Sequence, residues 1–131
     1  MEVNYDQAIS GVDELIQAPD ISEFLSPGFI DLQVNGFAGA DYNNPGVSHQ
    51  AIAQSIGAMF KTGVTRFFPT LITGSEERIV GALRNLVAAR ERFAAEGRPE
   101  AQAMAGIHVE GPHLSPEDGP RGAHPLEHVR A

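Results

Sequence analysis

Short β-type runs alternate with longer helical runs along this chain. The first β-type run predicts a strand over Phe29–Val34, because it is rich in β-branched and aromatic residues. Similar runs predict a second strand over Val64–Thr70 and a third over Ala105–Glu110.

Two helical runs separate these strands. Ser48 and Ser75 are predicted N-caps, and Gly63 and Gly97 are predicted C-terminal stops. The apolar stripes, at helical spacing, consist of Ile52, Ile56, Met59 and Phe60 in the first helix and of Ile79, Leu83, Leu86, Val87 and Phe93 in the second.

This order predicts an α/β fold with a mainly parallel sheet. It is consistent with a small doubly wound sheet or with part of a (β/α)8 TIM-type barrel. A whole barrel takes roughly 250 residues, so the 131 residues present would supply about its first three β/α units. In both folds ligands bind at the carboxyl ends of the strands, which here are Gln33 to Gly39, Pro69 to Thr73 and Glu110 to His124.

Composition narrows the choice of partner. The formal net charge of −8 argues against nucleic acid or an anionic membrane, because both are bound by clustered Lys and Arg. The chain has no cysteine, so any metal would take nitrogen and oxygen ligands, and the cytoplasm is the expected compartment. No apolar run approaches the roughly 20 residues needed to cross a bilayer.

Polar residues mark two of the predicted strand ends. Gln33 and Asn35 alternate at the first, and His108 and Glu110 at the third, so each pair shares one face of its strand. A buried carboxylate needs a metal or a cationic partner; Arg66 and Arg121 are the alternatives to a metal for Glu110. Equally, the two amides could serve only the backbone at a turn, and His108 could be a core histidine.

Three segments together resemble the N-acetylglucosamine-6-phosphate deacetylase family of the amidohydrolase superfamily. They are Pro27–Gly36 with its Gln-x-Asn-Gly end, Gly63–Thr73 with its Pro-Thr-Leu-Ile-Thr end, and Gly106–Leu114 with His-x-Glu-Gly-Pro, followed by the Gly-Ala-His-Pro loop of Gly122–Pro125. The resemblance implies that residues 27–131 are the N-terminal part of the barrel. Residues 1–26 would be a shortened form of the segment that contributes to a small sandwich in that family.

The resemblance also implies an activity. Members hydrolyse the acetamide of N-acetylglucosamine 6-phosphate, in amino-sugar metabolism, with one divalent metal ion, zinc first and iron as the alternative. Glu110 would be a metal ligand, and Ala123 and His124 would contact the sugar phosphate. Gln33 and Asn35 would lie beside the metal in place of the superfamily's usual His-x-His, as in the single-metal branch.

His108 would also lie near that metal. The remaining ligands and the catalytic aspartate would follow Ala131, so no catalytic residue is expected in this fragment, and the chain alone would be inactive. Family members are often homo-oligomeric.

Two other functions stay open. The chain could belong to a barrel amidohydrolase with a different amide substrate, or it could be a truncated, non-catalytic βαβ module. A self-contained zinc site of His108, His113 and His124 is disfavoured, because their spacing matches no compact zinc motif. His113 and His128 are expected at the surface.

Overall fold

A computed structural model of the protein describes residues 2–3, 9–11 and 26–130. The first two of these ranges form a pair of antiparallel strands, β1 (Glu2–Val3) and β2 (Ile9–Gly11). Most of the predicted 1–26 segment lies outside the described residues, so the boundary between 1–26 and 27–131 stays a prediction.

The remaining strands form a parallel sheet and a hairpin. In chain order they are β3 (Phe29–Val34), β4 (Gly36–Phe37), β5 (Ala40–Asp41), β6 (Val64–Ile72) and β7 (His108–Glu110). The sheet has the order β3-β6-β7 and both pairings are parallel. Its order therefore follows the chain, with β6 in the centre, and β4 and β5 pair as a separate antiparallel hairpin.

The described residues also form three α-helices and one 3-10 turn. They are α1 (His49–Phe60), α2 (Glu76–Ala95), α3 (Glu100–Ala103) and the 3-10 turn Leu126–His128. No helix in the described ranges is long and apolar enough to cross a membrane.

Both predicted helix starts are confirmed at the level of single hydrogen bonds. The Ser48 hydroxyl accepts from the Ala51 N–H at 3.1 Å, and the Ser75 hydroxyl accepts from the Arg78 N–H at 3.2 Å. Each bond satisfies an N–H group that has no partner within its helix. The first strand also has its predicted bounds, and the second is two residues longer than predicted.

The core lies between the sheet and the helices. Phe67 and Leu71 of β6 are each 1% exposed, and α1 and α2 both pack against this strand. Tyr42 is fully buried beside Phe67, and its hydroxyl shares a 2.5 Å hydrogen bond with Ser55. Burial raises the pKa of the Tyr42 hydroxyl, and the bond to Ser55 partly offsets this effect.

Two sequence predictions about these elements were wrong in detail, and one helix was missed. The third strand begins at His108 rather than Ala105: Met104 forms an isolated parallel bridge with Phe67 of β6, and the regular pairing with β6 resumes only at His108. Val87 is 41% exposed, and Ala82 and Ala89 complete the buried stripe of α2. The four-residue α3 was not predicted.

The edge strand β3 is poorly covered on both faces. Phe29, Ile30 and Leu32 are 68%, 56% and 69% exposed. Parallel strands normally have both faces covered, so this strand presents an unusual amount of apolar surface to solvent.

Candidate functional site

The carboxyl ends of β3, β6 and β7 meet at one edge of the sheet, because the three strands are parallel. In the register, Ile72 of β6 is opposite Glu110 of β7, and Val34 of β3 is opposite Pro69 of β6. The polar residues predicted at separate strand ends are thereby brought together above the central strand.

Glu110 is the centre of this group. One of its carboxylate oxygens, Oε2, accepts from Gln33 Nε2 at 2.7 Å, and the other, Oε1, lies 3.3 Å from His124 Nε2. The side chain is 32% exposed. The carboxylate is therefore held by one amide and one imidazole, while part of it remains open to solvent.

Neither arginine considered for Glu110 pairs with it. Arg66 is exposed and forms no ion pair with any described residue. Arg121 instead pairs with Asp118 and donates from Nη1 to the His124 carbonyl at 2.7 Å. The arginine explanation for Glu110 is therefore wrong.

Gln33 and Asn35 have different partners. Gln33 reaches across β6 to Glu110, whereas Asn35 Nδ2 donates to the Thr70 carbonyl at 3.4 Å. Both side chains are exposed. Asn35 therefore hydrogen-bonds to the backbone, which is one of the two roles that the sequence left open for these amides. Gln33 instead contacts Glu110, the candidate metal ligand.

The loop after β7 brings His124 back to the strand ends. His124 Nδ1 lies 2.9 Å from Thr73 Oγ1, so the imidazole is placed between Thr73 and Glu110. The imidazole is only 17% exposed, whereas Ala123 beside it is exposed. This loop therefore contributes one fixed ring and one accessible backbone segment to the site.

Among the described residues, no other histidine forms a hydrogen bond or ion pair with Glu110. His108 Nδ1 is 3.5 Å from Thr70 Oγ1, and it forms no hydrogen bond to Glu110 among the described residues. This contact is at the upper limit for a hydrogen bond. His113 is exposed as predicted, while His128 is only partly exposed.

Two residues of the site were missed by the sequence reasoning. The Asn43 side chain is 5% exposed and joins the ends of β3 and β6: Nδ2 donates to the Thr70 carbonyl at 3.0 Å, and Oδ1 accepts from the Ile72 N–H at 2.8 Å. Thr73 is 1% exposed and contacts both His124 and the Glu110 carbonyl oxygen. Asn and Thr are ordinary near turns, so the sequence held no signal that singled them out.

Gly111 explains one part of the His-x-Glu-Gly-Pro motif. Its φ is +84°, and a Cβ at this position would lie 2.1 Å from Thr73 Oγ1. Only glycine fits both the conformation and the space. The motif therefore allows β7 to end directly against Thr73.

The donor set around Glu110 fits part of a divalent-metal site. The partly exposed Glu110 carboxylate is a suitable oxygen ligand for zinc or iron. However, no group of three or more His, Cys, Asp or Glu side chains in the described ranges could hold a metal. Any metal here would need ligands in addition to these residues.

Two surface cavities flank different parts of the molecule. One, of about 460 Å³, is formed by residues 35–41 and borders Asn35. The other, of about 410 Å³, lies between α1 and α2 and is lined in part by His49, Phe93 and Arg98. Only the first is close to the strand ends.

Comparison with known proteins shows consistent similarities over most of the chain. No protein-family model matches it. The N-acetylglucosamine-6-phosphate deacetylase of Bacillus subtilis is 40% identical over 116 residues, covering 88% of this chain and 27% of the relative. The protein of that name from Haemophilus influenzae is 38% identical over 106 residues, covering 81% and 25%.

Solved structures agree. The crystal structure of N-acetylglucosamine-6-phosphate deacetylase from Pasteurella multocida matches with a TM-score of 0.59 at 30% identity, covering 80% of this chain and 25% of that one. The Thermotoga maritima structure of the same name matches with a TM-score of 0.60 at 28% identity, covering 79% and 25%. The chain thus spans about a quarter of the length of these relatives, and over that quarter it is homologous to them.

Proposed function

We propose, from this homology to N-acetylglucosamine-6-phosphate deacetylases, that the chain forms the first β/α units of a (β/α)8 barrel with that activity. Residues 27–131 would be the barrel part and residues 1–26 a shortened preceding segment. The activity would belong to a protein that also supplies the rest of the barrel.

The strand order of the sheet is compatible with the barrel proposal. In a barrel each new strand is added beside the previous one, and β3-β6-β7 follows this rule. This order differs from the flavodoxin order but is shared by the first three strands of the classic doubly wound sheet, so the choice of a barrel rests on the homology. The exposed apolar residues of β3 agree with this proposal, because in a complete barrel further strands and helices would cover both faces of the strand.

The proposed reaction is hydrolysis of the substrate acetamide to glucosamine 6-phosphate and acetate. A single divalent metal, zinc or alternatively iron, would polarise the amide carbonyl or activate water. Glu110 would be the ligand supplied by this segment. Its support is the contact geometry: the carboxylate is partly exposed, and no lysine or arginine in the described ranges pairs with it.

The neighbouring residues would orient that ligand and the substrate. Gln33 would hold one carboxylate oxygen of Glu110 through its 2.7 Å hydrogen bond, and Asn35 would fix the end of β3. His124 and the accessible backbone at Ala123 would contact the sugar phosphate. His108 would support the site only through Thr70.

The proposed partner is a small anionic amino-sugar phosphate, in the cytoplasm. The net charge of −8 is compatible with such a ligand, since a single phosphate needs only local donors. Association into a homo-oligomer is part of the same proposal, by analogy with the family.

The observation that carries the proposal is the meeting of Gln33, Glu110 and His124 at the carboxyl edge of the sheet. The test is a chimera in which this chain replaces the matched segment of the Bacillus subtilis relative. We expect acetate release from N-acetylglucosamine 6-phosphate that depends on added zinc or iron.

A panel of other N-acyl amino sugars and cyclic amides would identify a different amidohydrolase specificity. A folded chimera that binds metal but hydrolyses none of these substrates would refute the proposed function. The unmodified relative is the matched control for folding and metal content.

A further inference from the structure

Thr73 directly follows β6, and it contacts both the end of β7 and the loop that carries His124. Its hydroxyl is 2.9 Å from His124 Nδ1 and 3.4 Å from the Glu110 carbonyl oxygen. The side chain is 1% exposed, so water cannot readily replace either partner. A hydroxyl has one proton to donate, and the choice between the two partners determines the state of the imidazole.

Suppose that the proton went to the carbonyl oxygen. His124 Nδ1 would then have to donate to Thr73, and in the neutral ring Nε2 would carry a lone pair. That lone pair would face Glu110 Oε1 at 3.3 Å. Two electron-rich atoms would be opposed in a site where the ring is only 17% exposed, which is unfavourable at low local dielectric.

The opposite arrangement removes this conflict. If Thr73 donates to Nδ1, over the shorter of its two distances, then Nε2 carries the ring proton and donates toward the Glu110 carboxylate. Both ring nitrogens are then satisfied, and a neutral imidazole makes a favourable contact with an anion.

We infer that Thr73 is a positioning residue for His124: it donates its single proton to Nδ1, while the neutral ring presents Nε2–H to Glu110. The ring consequently presents a hydrogen-bond donor, rather than a metal-binding lone pair, on the side of Glu110. The importance of this for catalysis rests on the proposed function, whereas the tautomer itself does not.

The surrounding structure fixes Thr73 for this task. Gly111 leaves room for its hydroxyl, since a Cβ there would lie 2.1 Å from Oγ1. On the other side, Arg121 Nη1 binds the His124 carbonyl at 2.7 Å and so holds the loop that carries the ring. The Thr73 hydroxyl is therefore held against Gly111, and the loop that carries the His124 imidazole is held by Arg121.

The test is nitrogen-15 spectroscopy of the full chain labelled only at histidine. The chain has five histidines, and a His124→Gln variant identifies the signals of His124. Spectra are recorded at a pH where the ring signals no longer move, so the neutral ring is observed. We expect a protonated Nε2 and an unprotonated Nδ1, since nitrogen-15 shifts distinguish the two.

Three variants separate positioning from folding. Thr73→Val keeps the shape but removes the donor, so the unprotonated Nδ1 of His124 should lose its hydrogen bond and its nitrogen-15 signal should shift downfield. Glu110 still faces Nε2 in this variant, so the proton should stay on Nε2. Thr73→Ser keeps the hydroxyl and should keep the parent Nδ1 shift. Thr65→Val makes the same change at an exposed position of β6 and should leave the His124 signals unchanged.

The same variants in the chimera give an independent measurement. Thr73→Val should lower kcat by about 10-fold to 100-fold, as for other partners that orient active-site groups, and Thr73→Ser should restore it. If the parent ring carried its proton on Nδ1, or if Thr73→Val left the Nδ1 signal unchanged, the inference would be overturned. A folded, metal-binding chimera that is inactive but shows the expected spectrum would refute the proposed function and leave the tautomer assignment supported.

Discussion

Gln33 and Glu110 form a 2.7 Å hydrogen bond although 77 positions separate them in the chain. Their strands are not neighbours in the sheet, because β6 lies between them. Adjacent strands are about 4.8 Å apart, so only two long side chains can meet above the central strand. The bond therefore depends on two long side chains that together reach across β6.

Replacing Glu110 by Gln in the chimera should weaken metal binding at least about tenfold, because changes to residues that merely orient ligands already cost this much. The substitution removes the anionic donor of this segment and keeps its size. Metal content measured after dialysis checks the expectation. Unchanged content would mean that Glu110 is not a ligand.

Replacing His124 by Ala should leave the metal in place and reduce kcat/KM roughly 100-fold, the usual effect of deleting one well-placed donor. The ring faces Glu110 with Nε2 and is held by Thr73 through Nδ1. Metal analysis and steady-state kinetics of the same preparation provide the measurement. Joint loss of metal and activity would instead make His124 a ligand.

Changing both Gln33 and Asn35 to His should recruit a second metal ion to the chimera. Alternate residues of one strand share a face, and imidazole binds zinc or iron better than an amide does. The Asn35 side chain must first release the Thr70 carbonyl, a contact of 3.4 Å. A stoichiometry that remained at one metal per site would show that the two side chains do not both reach it.

The 131-residue chain on its own should have no deacetylase activity and should associate in solution. Leu32 is 69% exposed on a parallel edge strand, and such edges promote pairing between chains. Light scattering should give a mass above the 14.0 kDa of one chain. Leu32→Gln should reduce association more than the matched change Val87→Gln on α2; an active, monodisperse monomer would contradict this prediction.

Replacing Arg98 by Gln should lower the urea midpoint of the chain at pH 7, with a smaller effect in acid. The pKa of Glu100 is lowered chiefly because Arg98 donates hydrogen bonds to it. This contribution to stability is present above the unfolded carboxyl pKa of about 4.3 and is lost as pH falls through the lower folded pKa. An equal effect at both pH values would assign the loss to the contact of Arg98 with the Phe93 ring, which is 4.8 Å away.

The sequence predicted the elements whose cause is local. Ser48 and Ser75 cap their helices as expected, and Phe29–Val34 is a strand with the expected bounds. The four-residue α3 is too short to show a helical period, and Val87 lies at the margin of its stripe, where burial depends on what packs there. Local pattern therefore did not determine these features.

The candidate site was predictable as a set of strand ends but not as a set of bonds. Gln33 and Asn35 have the same pattern in the sequence, yet one binds Glu110 and the other a backbone carbonyl. The difference depends on distances across the sheet. The contacts of Thr73 with Glu110 and His124, and those of Asn43 with Thr70 and Ile72, join residues at least 27 positions apart, so no local signal could identify them.

Asn43 follows the hairpin of β4 and β5 in the chain, and its side-chain amide binds the ends of β3 and β6. Because this side chain fixes the ends of β3 and β6 directly, the position of those strands does not depend on the hairpin tip. At the tip, a Cβ added to Gly39 would meet nothing within 4 Å. Insertions there should be tolerated, so the length of this loop can change while the strand ends keep their geometry.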